Sequence, residues 1–198
     1  NGLLKTKYFE NENDTIKLLK QKNPNNQIYI IQNLANYEKM LLLGTSQYSK
    51  GALYFYKKKS QELIKLTDFN SKYENLPKGD NHYIQISADD GVQIEGYLVT
   101  NNISENIPLV VIPHGGPIGI RDYAFNDEVQ HFLASQGIAS LKVNYRGSGG
   151  YGKEFKALGK QQWGDKIETD IHKIVEHVID KYNIDKDKIC AMGGSYGG

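Results

Sequence analysis

The sequence predicts an α/β fold preceded by a block of antiparallel strands, and three observations predict it. Between Gln27 and Leu66, short runs rich in β-branched, aromatic and aliphatic residues follow one another across polar or glycine-containing turns. After a polar break at residues 68–80 the order changes to strands followed by strand–helix alternation. The last apolar run leads into Gly193-Gly194-Ser195-Tyr196-Gly197-Gly198, which contains G-x-S-x-G centred on Ser195.

Composition narrows the function before any motif does. Of 198 residues, 39% are hydrophobic and 24% are charged, enough apolar content for a core. A net charge of +1 gives no electrostatic case for nucleic acid or an anionic membrane surface. No apolar stretch approaches the ~18–20 residues of a membrane helix. The single cysteine, Cys190, excludes an internal disulfide framework and a cysteine-based zinc site. Within its apolar run it reads as a small buried hydrophobe. No cofactor or metal is implied. The sequence opens on Asn1, so a fragment is expected. Compartment (leaning to the cytoplasm) and oligomeric state stay open.

Residues 1–22 offer only a possible strand at Leu3–Tyr8 and an apolar turn at Ile16–Leu19. Ile28–Ile31, Lys39–Thr45, Ala52–Tyr56 and Glu62–Leu66 are the four β-rich runs, and Lys57-Lys58-Lys59 marks a solvated hairpin tip. Four strands within about forty residues match one blade of a propeller, which cannot close a ring alone. The expected division is residues 1–67 as this blade portion, 68–80 as a linker carrying Pro77 and Gly79, and 81–198 as the α/β domain.

In that domain His82–Ser87 and Val92–Thr100 flank Ala88-Asp89-Asp90-Gly91, a tight hairpin. Leu109–Ile112 is continuously apolar, as a strand buried on both faces must be. Residues 122–136 carry Phe125, Val129, Phe132 and Leu133 at helical spacing, ended by Gly137. Ile138–Asn144 is the next strand. The clearest helix is Asp165–Tyr182, with Ile167, Ile171, Ile174, Val175, Val178 and Tyr182 on one face and Asp165 with Glu168 as a capping pair. Lys188–Met192 is the strand before the Ser195 turn.

Chemistry in such sheets collects at the carboxyl ends of the strands. G-x-S-x-G there is a nucleophile elbow, a sharp turn that lifts one serine hydroxyl clear of the sheet. Gly193 and Gly197 remove the Cβ atoms that would clash in it. Upstream, Pro113-His114-Gly115-Gly116-Pro117 is a glycine loop able to receive a tetrahedral oxyanion. Gly116 and the Tyr196 N–H are the expected donors, since Pro117 has no N–H. The third stretch, Asn144-Tyr145-Arg146-Gly147-Ser148-Gly149-Gly150-Tyr151-Gly152-Lys153, imitates dinucleotide and phosphate loops. Glu154 stands where magnesium would need Ser or Thr, and no clean helix follows, so nucleotide binding is rejected.

Together these stretches resemble the prolyl oligopeptidase family of serine peptidases, in its acylaminoacyl-peptidase-like and dipeptidyl-peptidase-like branch. The resemblance rests on Ile112–Pro117, Asn144–Gly152, Trp163-Gly164 with Asp165 and Asp170, Gly193–Gly198, and Ala88–Gly91 followed by Ile94–Tyr97. It implies the N-terminal half of an α/β-hydrolase domain behind the end of a β-propeller. It also implies short peptides as substrate and Ser195 as the acylating nucleophile. Gly116 and Tyr196 would be oxyanion donors, with His114, Gly115, Asn144, Arg146, Gly193 and Gly197 shaping the loops around them. In this fold the triad runs Ser, Asp, His. The acid and base are therefore expected beyond Gly198, with His82, His114, His131, His172 and His177 not serving as the base. His131, His172 and His177 are expected at or near the surface. Asp165 and Asp170 are read as helix residues, not as the triad acid. An esterase or lipase on the same fold, or a non-catalytic derivative, are the alternatives.

Overall fold

The structure, a computed structural model, describes residues 14–22, 27–36, 38–46, 49–69, 77–101, 106–124 and 127–198. The predicted strand at Leu3–Tyr8 and residues 70–76 of the predicted linker lie outside them. The chain divides into two compact units.

One unit is a four-stranded sheet built from β1 (Gln27–Leu34), β2 (Lys39–Ser46), β3 (Ser49–Lys57) and β4 (Glu62–Asp68). Its strands pair antiparallel in chain order, as short tight turns between neighbours allow. Burial alternates along β2, and Ile28, Met40, Leu42 and Tyr56 form a small core with Leu19. Leu19 belongs to helix α1 (Asp14–Lys22), where the sequence had predicted only a turn. Its full burial gives the short helix the apolar anchor that local propensity alone does not supply. The lysine run ends β3 at Lys57 and enters the turn with Lys58 and Lys59, tied by an exposed Lys57–Glu62 ion pair at 2.9 Å.

The other unit is mixed α/β. Strands β5 (Asp80–Ser87), β6 (Gln93–Thr100), β7 (Ile107–Pro113), β8 (Ala139–Asn144) and β9 (Ile184–Ala191) lie in the order β5-β6-β8-β7-β9. The β5–β6 and β6–β8 pairs are antiparallel, while β7 is parallel to both β8 and β9. Helix α2 (Glu128–Ser135) connects β7 to β8; α3 (Lys153–Leu158) and α4 (Lys166–Lys181) connect β8 to β9. The first crossover moves outward from β7 and the second returns past it. With right-handed crossovers this places α2 and α4 on opposite faces. Ile167, Ile174 and Val178 of α4 accordingly share one core with Leu98, Leu109, Leu141 and Val143. On the other face Gln130 of α2 donates Nε2 to the carbonyls of Tyr97 and Ser140, both at 3.1 Å.

The structure corrects five further expectations. Helix α2 begins at Glu128, not at 122, because Asp122 is held in a loop by Asn144: its N–H donates to Oδ1 at 2.8 Å and its carbonyl accepts from Nδ2 at 3.0 Å. Its inward face is also not the apolar one. Gln130, His131 and Ala134 are buried, while Val129 and Phe132 are 47% and 54% exposed. His131, expected at the surface, is 1% exposed because its Nδ1 accepts the Gly79 N–H at 3.1 Å. At the start of α4, Asp165 occupies the cap position without a side-chain cap bond, so only half of the expected pair forms: the Glu168 carboxylate accepts from the Asp165 backbone. Cys190 is exposed, not buried. It shares the sheet face of its partner Val110, the face on which α2 packs against β6 and β8.

Candidate active site

Parallel strands β7, β8 and β9 end on the same edge of the sheet, and all three glycine-rich stretches leave from that edge. Because β7 sends its connection toward β8 while β9 lies on its other side, the crevice between the ends of β7 and β9 is a topological switch point. The loop after β7 is His114–Pro117, and the loop after β9 carries Ser195. The sheet alone brings them together.

Ser195 sits at φ +59, in the left-handed region that a side chain rarely occupies. A single 3-10 turn, Ser195–Gly197, follows it. Crowding explains why its neighbours are glycine. A Cβ on Gly193 would lie 1.8 Å from the Gly197 carbonyl oxygen, and one on Gly197 would lie 2.1 Å from the Pro113 oxygen. Neither gap admits a carbon atom. Ser195 itself is exposed. A Cβ on Gly115 would meet Ser195 Cβ at 3.3 Å and Oγ at 3.8 Å, so the glycine loop borders the hydroxyl directly. Gly116, one residue on, turns at φ +125 beneath Ile118 and Ile120.

His114 is near the serine turn but fully engaged in its own loop. Its ring stacks on Tyr145 at 4.3 Å. A carbonyl can only accept, so Nδ1 carries the proton toward Gly115 O at 2.8 Å, and Nε2 accepts from Ser148 Oγ at 2.8 Å. Burial pushes its pKa down, which favours this neutral form. Tyr145 donates its hydroxyl to the His114 carbonyl at 2.6 Å. These bonds lock the β7 and β8 loops together.

The stretch that imitates a phosphate loop spends its backbone on the protein. Gly149 N–H donates to Ile120 O and Gly119 N–H to Gly147 O, both at 2.8 Å. Asn144 is fully buried; besides holding Asp122 it donates Nδ2 to the Tyr151 hydroxyl at 3.0 Å. Arg146 grips Asp170 through Nε at 2.8 Å and Nη2 at 2.7 Å, and Asp90 through Nη1 at 2.8 Å. The guanidinium beside Asp90 holds that carboxyl far below the usual carboxylate range. Arg146 thus ties the β8 loop to α4 and to the β5–β6 turn, with no donor face left for a substrate carboxylate.

Sequence reasoning missed two partners. Asp170 lies on the inward face of α4 between Ile167 and Ile174, and a carboxylate at a core position demands a cation; that signal was available. Glu168, assigned to a cap, also accepts the Tyr196 hydroxyl at 2.7 Å. Among the described residues no group of three or more His, Cys, Asp or Glu converges on a metal position, and no helix is long and apolar enough to cross a membrane.

A strained serine between close-packed glycines, at the switch point of a mixed α/β sheet, defines a serine site of the elbow class. Comparison with known proteins gives the family. The sequence model of the prolyl oligopeptidase family matches residues 123–198, and the chain belongs to that family. It is 32% identical over 154 residues to dipeptidyl aminopeptidase BIII of Pseudoxanthomonas mexicana, an alignment covering 73% of this chain and 22% of that protein. The solved acylaminoacyl peptidase of Pyrococcus horikoshii superposes with a TM-score of 0.70 at 26% identity, over 86% of this chain and 28% of that one. An acylaminoacyl peptidase in complex with Z-Gly-Gly-Phe-chloromethyl ketone gives 0.70 at 26% identity, over 86% and 27%. The chain therefore spans between a fifth and a third of the length of these three relatives.

Proposed function

We propose that this chain carries the nucleophile of a serine peptidase that hydrolyses short peptides through an acyl-enzyme on Ser195. The observation that carries the reading is the Ser195 turn itself: φ +59, with neighbours that only glycine can fill, beside the Gly115 backbone. In this mechanism Ser195 Oγ attacks the scissile carbonyl as a general base takes its proton. The N–H groups of Tyr196 and Gly116 receive the resulting oxyanion, stabilising charge that develops only in the transition state. Proton return expels the amine half of the peptide, and water releases the acyl half by the same route. His114 is neutral and engaged at both nitrogens, which supports a base and an acid from sequence following Gly198, in the order Ser, Asp, His.

Peptide as the substrate class is supported by the relative bound to a peptidyl chloromethyl ketone. The domain reading is of the same kind: an α/β-hydrolase domain over 81–198, a linker over 68–80 and a blade portion of a propeller over 1–67; a propeller complete in the parent protein would restrict entry to small substrates. The test is turnover of short peptide anilides by the intact protein, compared with simple esters. Anilide hydrolysis that disappears in Ser195→Ala is expected. Ester turnover with no anilide hydrolysis would replace the peptidase reading with an esterase.

A further inference from the structure

Tyr196 follows the nucleophile, and its side chain is held by an element far away in sequence. Its hydroxyl donates to Glu168 Oε1 at 2.7 Å across the junction between the Ser195 turn and α4. The ring lies between Tyr145 and Trp163, with centroids 6.3 Å and 6.4 Å away. Glu168 is the third residue of α4, where the helix dipole favours a carboxylate. Burial alone would push its pKa up, yet the Tyr196 hydroxyl and backbone groups at the start of α4 hold it below the ordinary range. Tyr196 moves the other way, pushed up to about 12 by burial and by the bond to Glu168. The pair is therefore a charge-assisted bond from a neutral phenol to an ionised carboxylate, about twice as strong as a neutral one.

The geometry points to Glu168 as a positioning residue for the oxyanion site, acting through Tyr196. The close-packed glycines fix the turn on either side of residues 194–196, and the Gly198 N–H donates at 3.1 Å to the Ser195 carbonyl, which shares its peptide unit with the Tyr196 N–H. That bond holds the unit from its carbonyl side; a ring anchored at its hydroxyl restrains it from the other side, through the Cα from which the ring hangs. Oxyanion donors act only when aimed at the place where charge develops, so a small rotation costs transition-state binding and leaves ground-state binding nearly intact. Glu168 contacts no substrate in this account. Its effect is on direction.

The inference rests on Ser195 being the nucleophile, and its test separates the two claims. In the intact protein, Glu168→Ala is expected to lower kcat by about tenfold or more with KM within about twofold of wild type. Glu168→Gln keeps an acceptor oxygen and should restore most of the loss. Tyr196→Phe should match Glu168→Ala, and the double variant should be no worse than either single one. Unchanged kcat in Glu168→Ala, a change confined to KM, a Gln variant as impaired as Ala, or a silent Tyr196→Phe would each overturn the positioning role. Fluorophosphonate labelling is run beside the kinetics. A wild type that neither labels nor turns over peptide sinks both claims; a labelled, active wild type with a silent Glu168→Ala sinks this one alone.

Discussion

At the scale of single residues, packing distances sort the groups that matter from those that merely lie near. Gly193 and Gly197 have no space for a methyl group against backbone oxygens, which cannot move aside as a flexible side chain could. Gly193→Ala should therefore lower the rate of fluorophosphonate labelling at Ser195 by about a hundredfold or more, since a shift of about 1 Å in the nucleophile has effects of that order. Labelling at the wild-type rate would show that the turn tolerates a Cβ. Arg146 and Asp170 form the other decisive contact, with side chains 4% and 0% exposed. Removing one partner strands a buried charge, so Asp170→Ala should destabilise by about 3–5 kcal/mol in urea denaturation. The exposed Lys57–Glu62 pair gives the contrast: Glu62→Ala should cost about 0.2–1 kcal/mol.

At the scale of elements, hydrophobic periodicity located the helices better than it oriented them. Helix α4 was legible because Ile167, Ile174 and Val178 recur at helical spacing and face the sheet core. On α2 the same rule failed. Its inward face is chosen by hydrogen bonds: Gln130 reaches two strand carbonyls and His131 accepts from Gly79, which leaves Val129 and Phe132 outside. Buried polar groups with fixed partners outweigh apolar area on a helix of eight residues. His131→Ala should then cost about 1–3 kcal/mol in thermal or urea unfolding, because the Gly79 N–H loses its acceptor. Phe132→Ser should stay within about 0.5 kcal/mol of wild type. The reverse order of effects would restore the apolar face as the inward one. Partners such as Glu168 for Tyr196 were illegible for a different reason: 28 residues separate them, and only the folded sheet brings α4 beside the Ser195 turn.

At the scale of the whole molecule, sheet order explains why the motifs act together. The loop after β7 and the turn after β9 are about eighty residues apart, yet β9 inserts beside β7 and makes them neighbours. The mixed α/β class and the order of the motifs were readable from the alternation of strands and helices. The placement of β9 was not, because the sequence does not state which edge a returning strand will take. Given that placement, the rest follows from the strand ends: a glycine loop on one side, a strained serine on the other, and His114 hydrogen-bonded at both ring nitrogens. The most direct measurement is reaction of the intact protein with a serine-directed fluorophosphonate, followed by peptide mapping. A single adduct on Ser195 that vanishes in Ser195→Ala is predicted. No adduct, or one that persists in that variant, would contradict the account.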